Sequence, residues 1–143
     1  MLAPDVNVLV YAHRAEIPEH AACRGWLEDL VNADAAFGLA DVVLSGFLRV
    51  VTHPRIFDPP TPLDEALSEA AALRAQPNCL SLEPGARHWS IFERLCRESR
   101  ARGNLVADAY LAALAIESGC EWVTTDRDYA AFPGLRVRSP FDG

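Results

Sequence analysis

The chain has 143 residues, half of them apolar, and a formal net charge of −7. This length is enough for one domain, expected over residues 1–143, that buries a full core without disulfides or a structural metal, and no apolar run approaches the roughly 18 residues that a membrane span needs. The negative charge argues against broad electrostatic binding of nucleic acid; it is compatible with an acidic site that recruits a divalent cation, provided that local arginines steer any phosphate chain towards it.

All 13 basic residues are arginine, the better bidentate ligand for phosphate. Cys23, Cys79, Cys96 and Cys120 have none of the close spacings of zinc or redox motifs, and are expected as small core residues in a reducing compartment. The N-terminal MLAPDVNVLVYAHR carries an acid where a signal peptide needs basic residues, so a cytoplasmic protein without membrane contact is expected.

In chain order, the apolar lead at residues 1–4 predicts a strand; Asp5 follows, and VNVLVYAHR sets Val6, Leu9, Val10 and His13 at helical spacing. Residues 19–31 (EHAACRGWLEDLV) predict a second helix with Ala22, Trp26 and Leu30 along one stripe. A short strand is expected at 35–39, and Asp41 is placed as the N-cap of the helix VVLSGFLRVVT, which His53-Pro54 ends. FDPPTP at 57–62 reads as a loop, and Thr61 or Pro62 opens the helix LDEALSEAAALRA, closed by Gln76-Pro77. Residues 79–82 predict a strand, and 85–102 a helix that turns Trp89, Phe92 and Cys96 inward.

The run 104–120, NLVADAYLAALAIESGC, predicts a helix buried almost all round. EWVTT at 121–125 is a strand, Asp126-Arg127-Asp128 a turn, and 135–137 a last edge strand. Short strands alternating with helices imply a central parallel sheet covered on both faces, a three-layer α/β/α sandwich. In such folds ligands gather at the carboxyl ends of the strands.

Asp108 is the anomaly in the buried run. It shares a helix face with Asn104, Leu105, Leu111, Ala112 and Ala115, where no cation can pair with it, and an unpaired buried carboxylate costs roughly several kcal/mol unless it binds something. Asp5 and Asp126 each follow a strand directly, so a parallel sheet brings both to one edge; Asp108, on the helix before EWVTT, can reach the same edge. Three carboxylates in one cleft repel unless a cation joins them, and oxygen donors without nearby His or Cys favour Mg²⁺ or Mn²⁺.

Each acid also has a plainer reading: Asp5 as a helix cap, Asp126 and Asp128 as turn residues. Other chemistry has less support. The four histidines are scattered, Ser45 has no His-acid partner for a nucleophilic triad, and Gly38, Gly46 and Gly85 form no phosphate loop. Arg94, Arg97, Arg100 and Arg102 end the helix ahead of Asn104; such runs are usually solvated faces, with phosphate contact the alternative.

DVNVLVYAH, FLRVVTHPRIF, GNLVADAYLAALAIESGC and VTTDRDYAAFPGLRV, in that order and spanning nearly the whole chain, resemble the PIN-domain ribonucleases of the VapC toxin group. The resemblance implies a single PIN domain whose catalytic, metal-binding acids are Asp5, Asp108 and Asp126, with Asp128 as a nearby helper. Asn7 and Thr124 or Thr125 would orient them by hydrogen bonds, and Asn104 is counted among the polar residues on the substrate side. It implies Mg²⁺ (or Mn²⁺), cleavage of RNA phosphodiesters by a metal-activated water, and the role of toxin in a toxin-antitoxin pair. A cognate antitoxin would lie over the apolar helices of the N-terminal part, and the toxin would be a homodimer.

One position departs from the family pattern. Where LxEFLRVVTHPR has Glu, this chain has Gly46 in LSGFLRVVTHPR, and Asp41, five residues back and roughly 140° round the helix, cannot replace it. Glycine inside a helix costs about 1 kcal/mol relative to alanine, so nothing local in the sequence recommends it. The alternative function is therefore a PIN fold kept as a binding module with impaired catalysis. A small phosphatase using Asp5 as nucleophile is disfavoured by Asn7, which stands where such enzymes prefer a second acid.

Overall fold

The computed structural model, which describes residues 1–142, alternates strands and helices along the chain. In order these are β1 (Leu2–Pro4), α1 (Val6–His13), α2 (His20–Asn32), β2 (Phe37–Ala40), α3 (Asp41–Val51), α4 (Leu63–Arg74), β3 (Cys79–Leu82), α5 (His88–Ser99), α6 (Asn104–Ser118), β4 (Glu121–Val123) and β5 (Val137–Arg138). A one-turn 3₁₀ helix, Arg127–Ala131, lies between β4 and β5. The sheet has the order β3-β2-β1-β4-β5 with every pair parallel, as the α/β/α sandwich requires.

Helices cover both faces. Ala3 and Trp122 are register partners and belong to the larger core, whereas Val123, next along β4, packs with Val8, Ala12 and Cys23 in a smaller one. Successive strand residues thus serve opposite faces. All four residues of β2 are buried, which is why its sequence FGLA is continuously apolar. β1 sits in the middle: the chain runs outward from it to β2 and β3, then crosses back to β4 on its other side. Such a reversal of strand order opens a crevice beyond the carboxyl ends of β1 and β4.

Several sequence expectations shift. Asp41 is not a cap: β2 runs straight into α3, the cap position is Ala40, and Asp41 lies in the first turn paired with Arg74 at 3.3 Å. Trp89 is not inward but 65% exposed, because the inner face of α5 is centred on His88 and Leu95, and the Trp89 ring reaches only the Phe92 ring, 5.2 Å away. Ala22 is exposed, and Cys23 and Leu30 carry the buried stripe of α2. On α1, Val8 and Ala12 are as buried as Leu9 and Val10, since this helix touches both cores.

The helix expected at 85–102 is shorter at both ends. The Glu117 carboxylate accepts the backbone N–H groups of Gly85 (2.7 Å) and Arg87 (2.9 Å), holding a turn ahead of α5, and Arg100 enters the left-handed region at φ 53°. α6 is buried all round only in its second half, Ala112 to Ala115, while Asn104, Val106 and Ala107 are exposed. It ends at Gly119, whose φ of 70° lets the Cys120 N–H bond back to Ala115 O at 2.8 Å and sends the chain into β4.

Gly46 has a packing reason. α1 and α3 cross where it stands, and a Cβ there would lie 2.8 Å from Val6 Cγ2; valine is stiff at χ1 and does not readily yield. Gly46→Ala is therefore expected to add no stability to the parent but about 1 kcal/mol in a Val6→Ala background, the helix-propensity gain once the contact is gone. Chemical denaturation of the four chains measures this, and equal gains in both backgrounds would rule the contact out as the reason for glycine.

Candidate active site

Asp5 stands where β1 turns into α1, and the residue is 4% exposed. Its backbone N–H continues the sheet by donating to Val123 O at 2.8 Å. One carboxylate oxygen accepts the Val6 N–H at 2.7 Å; the other accepts the Thr124 hydroxyl at 2.8 Å and the Asn7 amide at 3.2 Å. The Thr124 oxygen in turn accepts the Asn7 amide (3.2 Å) and the Asp126 N–H (3.0 Å), and Asn7 Oδ1 accepts the Thr125 N–H at 3.2 Å. Asp5 is thus a helix cap and also one node of a network that ties the ends of β1 and β4 together. The Thr124 N–H still donates to Arg138 O at 3.0 Å, but the Thr125 N–H turns to Asn7, and β4 stops at Val123.

The network places the acids at the crevice. Asp5, Asp108 and Asp126 all line one open groove of about 960 Å³ between α1 and α3 on one side and α6 on the other. Asp126 keeps its turn role as well, accepting the Asp128 N–H at 2.9 Å. Asp108 has a partner that the sequence did not suggest: the buried Tyr129 donates its hydroxyl to Asp108 Oδ1 at 3.2 Å. The signal was available, since a tyrosine three residues after Asp126, opening the apolar run YAAF, needs a partner for its hydroxyl once buried.

Not every expected residue arrives. Asn104 is exposed and does not line the groove, and neither does Asp128, also exposed. None of Arg94, Arg97, Arg100 and Arg102 lines it; Arg94 and Arg97 pair with Glu98 and Glu93 along α5. Asp5 makes a poor phosphatase nucleophile, because both its oxygens are engaged and it is buried.

The electrostatics record the crowding. Burial pushes the Asp5 carboxyl above its ordinary value, against the bonds from Thr124 and Val6, and repulsion from Asp126 adds to the rise. Asp108 is pushed up to about 6, first by burial, with the Tyr129 bond opposing and the charges of Asp126, Asp5 and Asp128 adding. Burial and the Asp5 and Asp108 charges likewise keep the Tyr129 hydroxyl protonated far above neutral pH. Among the described residues no three His, Cys, Asp or Glu side chains form a ready-made metal cage. The donor set still suits a hard cation. The groove offers three carboxylates and no His or Cys, and an ion that keeps several waters, as Mg²⁺ does, needs few direct protein contacts.

Residues 2–135 match the PIN domain family. The VapC ribonuclease Mb2897 of Mycobacterium bovis is 51% identical over 143 residues, covering 100% of this chain and 97% of that protein. The chain is a PIN domain of the VapC group. This PIN domain also shares its fold with VapBC2 from Rickettsia felis bound to a DNA fragment from their promoter, at TM-score 0.68 and 18% identity, covering 96% of this chain and 97% of that one. It likewise resembles Mycobacterium tuberculosis VapC20, a Sarcin-Ricin loop cleaving toxin, at TM-score 0.67 and 17% identity, covering 95% and 99%.

The raised carboxyl has a sign that can be measured. Folded Asp108 titrates at about 6 against an ordinary 3.8, so between those values the folded PIN domain holds a proton that the unfolded chain has lost, and stability falls as pH rises through that window. Asp108→Asn in metal-free buffer is expected to raise the melting temperature at about pH 7.5, with the gain fading towards about pH 4. A gain independent of pH would contradict an elevated Asp108 carboxyl.

Proposed function

We propose that this PIN domain is a metal-dependent endoribonuclease and the toxin of a toxin-antitoxin pair. The convergence of Asp5, Asp108 and Asp126 on one groove carries the reading, and the ribonuclease name of a relative 51% identical over the full chain supports the reaction. The three acids would hold Mg²⁺ or Mn²⁺. When bound, the cation activates a water towards the phosphodiester and offsets the charge that grows on the phosphate oxygens.

The chain's own residues divide the remaining work. Asp5, fixed by Val6, Asn7 and Thr124, sets the position of the site relative to the sheet. The Tyr129 hydroxyl fixes one Asp108 oxygen, and the other has no hydrogen-bond partner among the described residues. Asp126 is held only through its own turn and the Thr124 hydroxyl, so it is the member with freedom to adjust as substrate enters. Val10, Val42, Phe92 and Leu111 form an apolar part of the groove's wall, which lowers the dielectric beside the acids and strengthens the electrostatics there.

Gly46 does not favour the binding-module alternative. Its contact with Val6 accounts for the glycine, and the acids that converge come from β1, β4 and α6 without any contribution from α3. VapBC assemblies among the fold relatives support an antitoxin partner, placed in this reading over the apolar N-terminal helices, and the toxin is taken to work in the cytoplasm as a homodimer. None of the described helices is long and apolar enough to cross a membrane.

The purified chain is expected to cleave total RNA with Mg²⁺ or Mn²⁺ and not with chelator, and Asp108→Asn to lower cleavage about a hundredfold or more with its circular dichroism unchanged. Full activity in that variant would end the metal-site reading. A parent that stays inactive until Gly46→Glu is introduced would favour the binding module instead.

A further inference from the structure

The α3 wall of the groove is built from Val42, Ser45, Gly46, Arg49 and Val50, a stripe spaced 3, 4, 7 and 8 residues from its first member and hence one face of the helix. Arg49 is the one cation among the groove's lining residues; every other charged group there is a carboxylate. It is exposed and, like Arg55, Arg87, Arg100, Arg102 and Arg127, makes no ion pair or side-chain hydrogen bond among the described residues, but of these only Arg49 lines the groove. A cation in the last turn of a helix has a plainer use against the helix dipole, but that use does not account for its lining the groove that three acids also line.

The position along α3 matters. Gly46 meets Val6, the residue after Asp5, and Arg49 lies three residues further on, about 4.5 Å along the helix axis. Ser45, on the same wall, is small and exposed, whereas at Gly46 the wall is closed by Val6. A polyanion entering the groove of a chain with a formal charge of −7 meets repulsion from those acids, and a planar guanidinium lining the same groove is the group suited to holding it.

We infer that Arg49 binds a backbone phosphate of the RNA chain next to the scissile one, setting which phosphodiester lies over Asp5, Asp108 and Asp126. This rests on the ribonuclease reading and adds a phosphate subsite on α3 to it. An acidic side chain of a protein partner has chemistry that Arg49 also accepts; RNA is favoured because Arg49 shares its groove with the acids assigned to RNA cleavage.

The test reads binding without cleavage. A fluorescein-labelled unstructured oligoribonucleotide is titrated with the parent, Arg49→Ala and Arg49→Lys in EDTA at several salt concentrations, with anisotropy as the signal. Arg49→Ala is expected to weaken binding about five- to tenfold at low salt and to reduce the slope of log K against log salt by about 0.7, the value for one phosphate contact on a single strand. Arg49→Lys is expected to restore the slope and part of the affinity. Unchanged affinity and slope in Arg49→Ala overturns the inference and leaves Arg49 to a protein partner; so does a parent that does not bind RNA. Arg49-dependent binding by a parent that cleaves no RNA in Mg²⁺ keeps the subsite and sinks the ribonuclease reading alone.

Discussion

The site depends on one buried carboxylate. Asp5 is 4% exposed, and a charge so placed is tolerated only because hydrogen bonds meet it on both oxygens. Those donors come from two places: Val6 and Asn7 in the first turn of α1, and the hydroxyl of Thr124 just past β4. Each bond therefore also fixes an element. The first starts a helix, and the Thr124 bond locks β4 beside β1 in the register that pairs Leu2, Ala3 and Pro4 with Glu121, Trp122 and Val123. Truncating Asp5 would leave the Thr124 hydroxyl without its acceptor, take one of two from the Asn7 amide, and leave the switch point of the sheet without its tie.

The same tie makes the site electrostatically tense. Once the ends of β1 and β4 are held together, Asp126 follows Thr124 into the crevice, and α6, leading directly into β4, brings Asp108 to its rim. Nothing basic comes with them: Arg49 is the one cation in the groove, on the α3 wall. The raised Asp5 and Asp108 carboxyls show first the cost of burying them and then that of setting them beside other acids. A fold that holds three acids against their repulsion, using threonine, asparagine and tyrosine to orient them, is prepared for a cation.

Much of this was legible in the chain because it is written as position relative to secondary structure. Asp5 and Asp126 directly follow apolar strands, and a parallel sheet puts such residues at one edge whatever the details; Asp108 stood out as a charge in an alanine-rich helix. What could not be read was contact at long range. Tyr129 reaches Asp108 across 21 residues through a one-turn helix whose geometry has no periodic signature. Gly46 looked gratuitous because its reason, Val6, lies 40 residues earlier and on another helix. Trp89 was misplaced for the opposite reason: a large aromatic suggests burial, but the helix phase set by His88 and Leu95 turns it out.

The central claim is that the groove holding Asp5, Asp108 and Asp126 is a divalent-cation site. A crystal of the chain soaked in Mn²⁺ and measured at the manganese absorption edge locates the ion directly. The account predicts an anomalous difference peak within coordination distance of Asp5 or Asp108 and facing Asp126, absent from crystals of Asp108→Asn. No peak in the groove at saturating Mn²⁺, or a peak bound elsewhere and unaffected by the substitution, would contradict it.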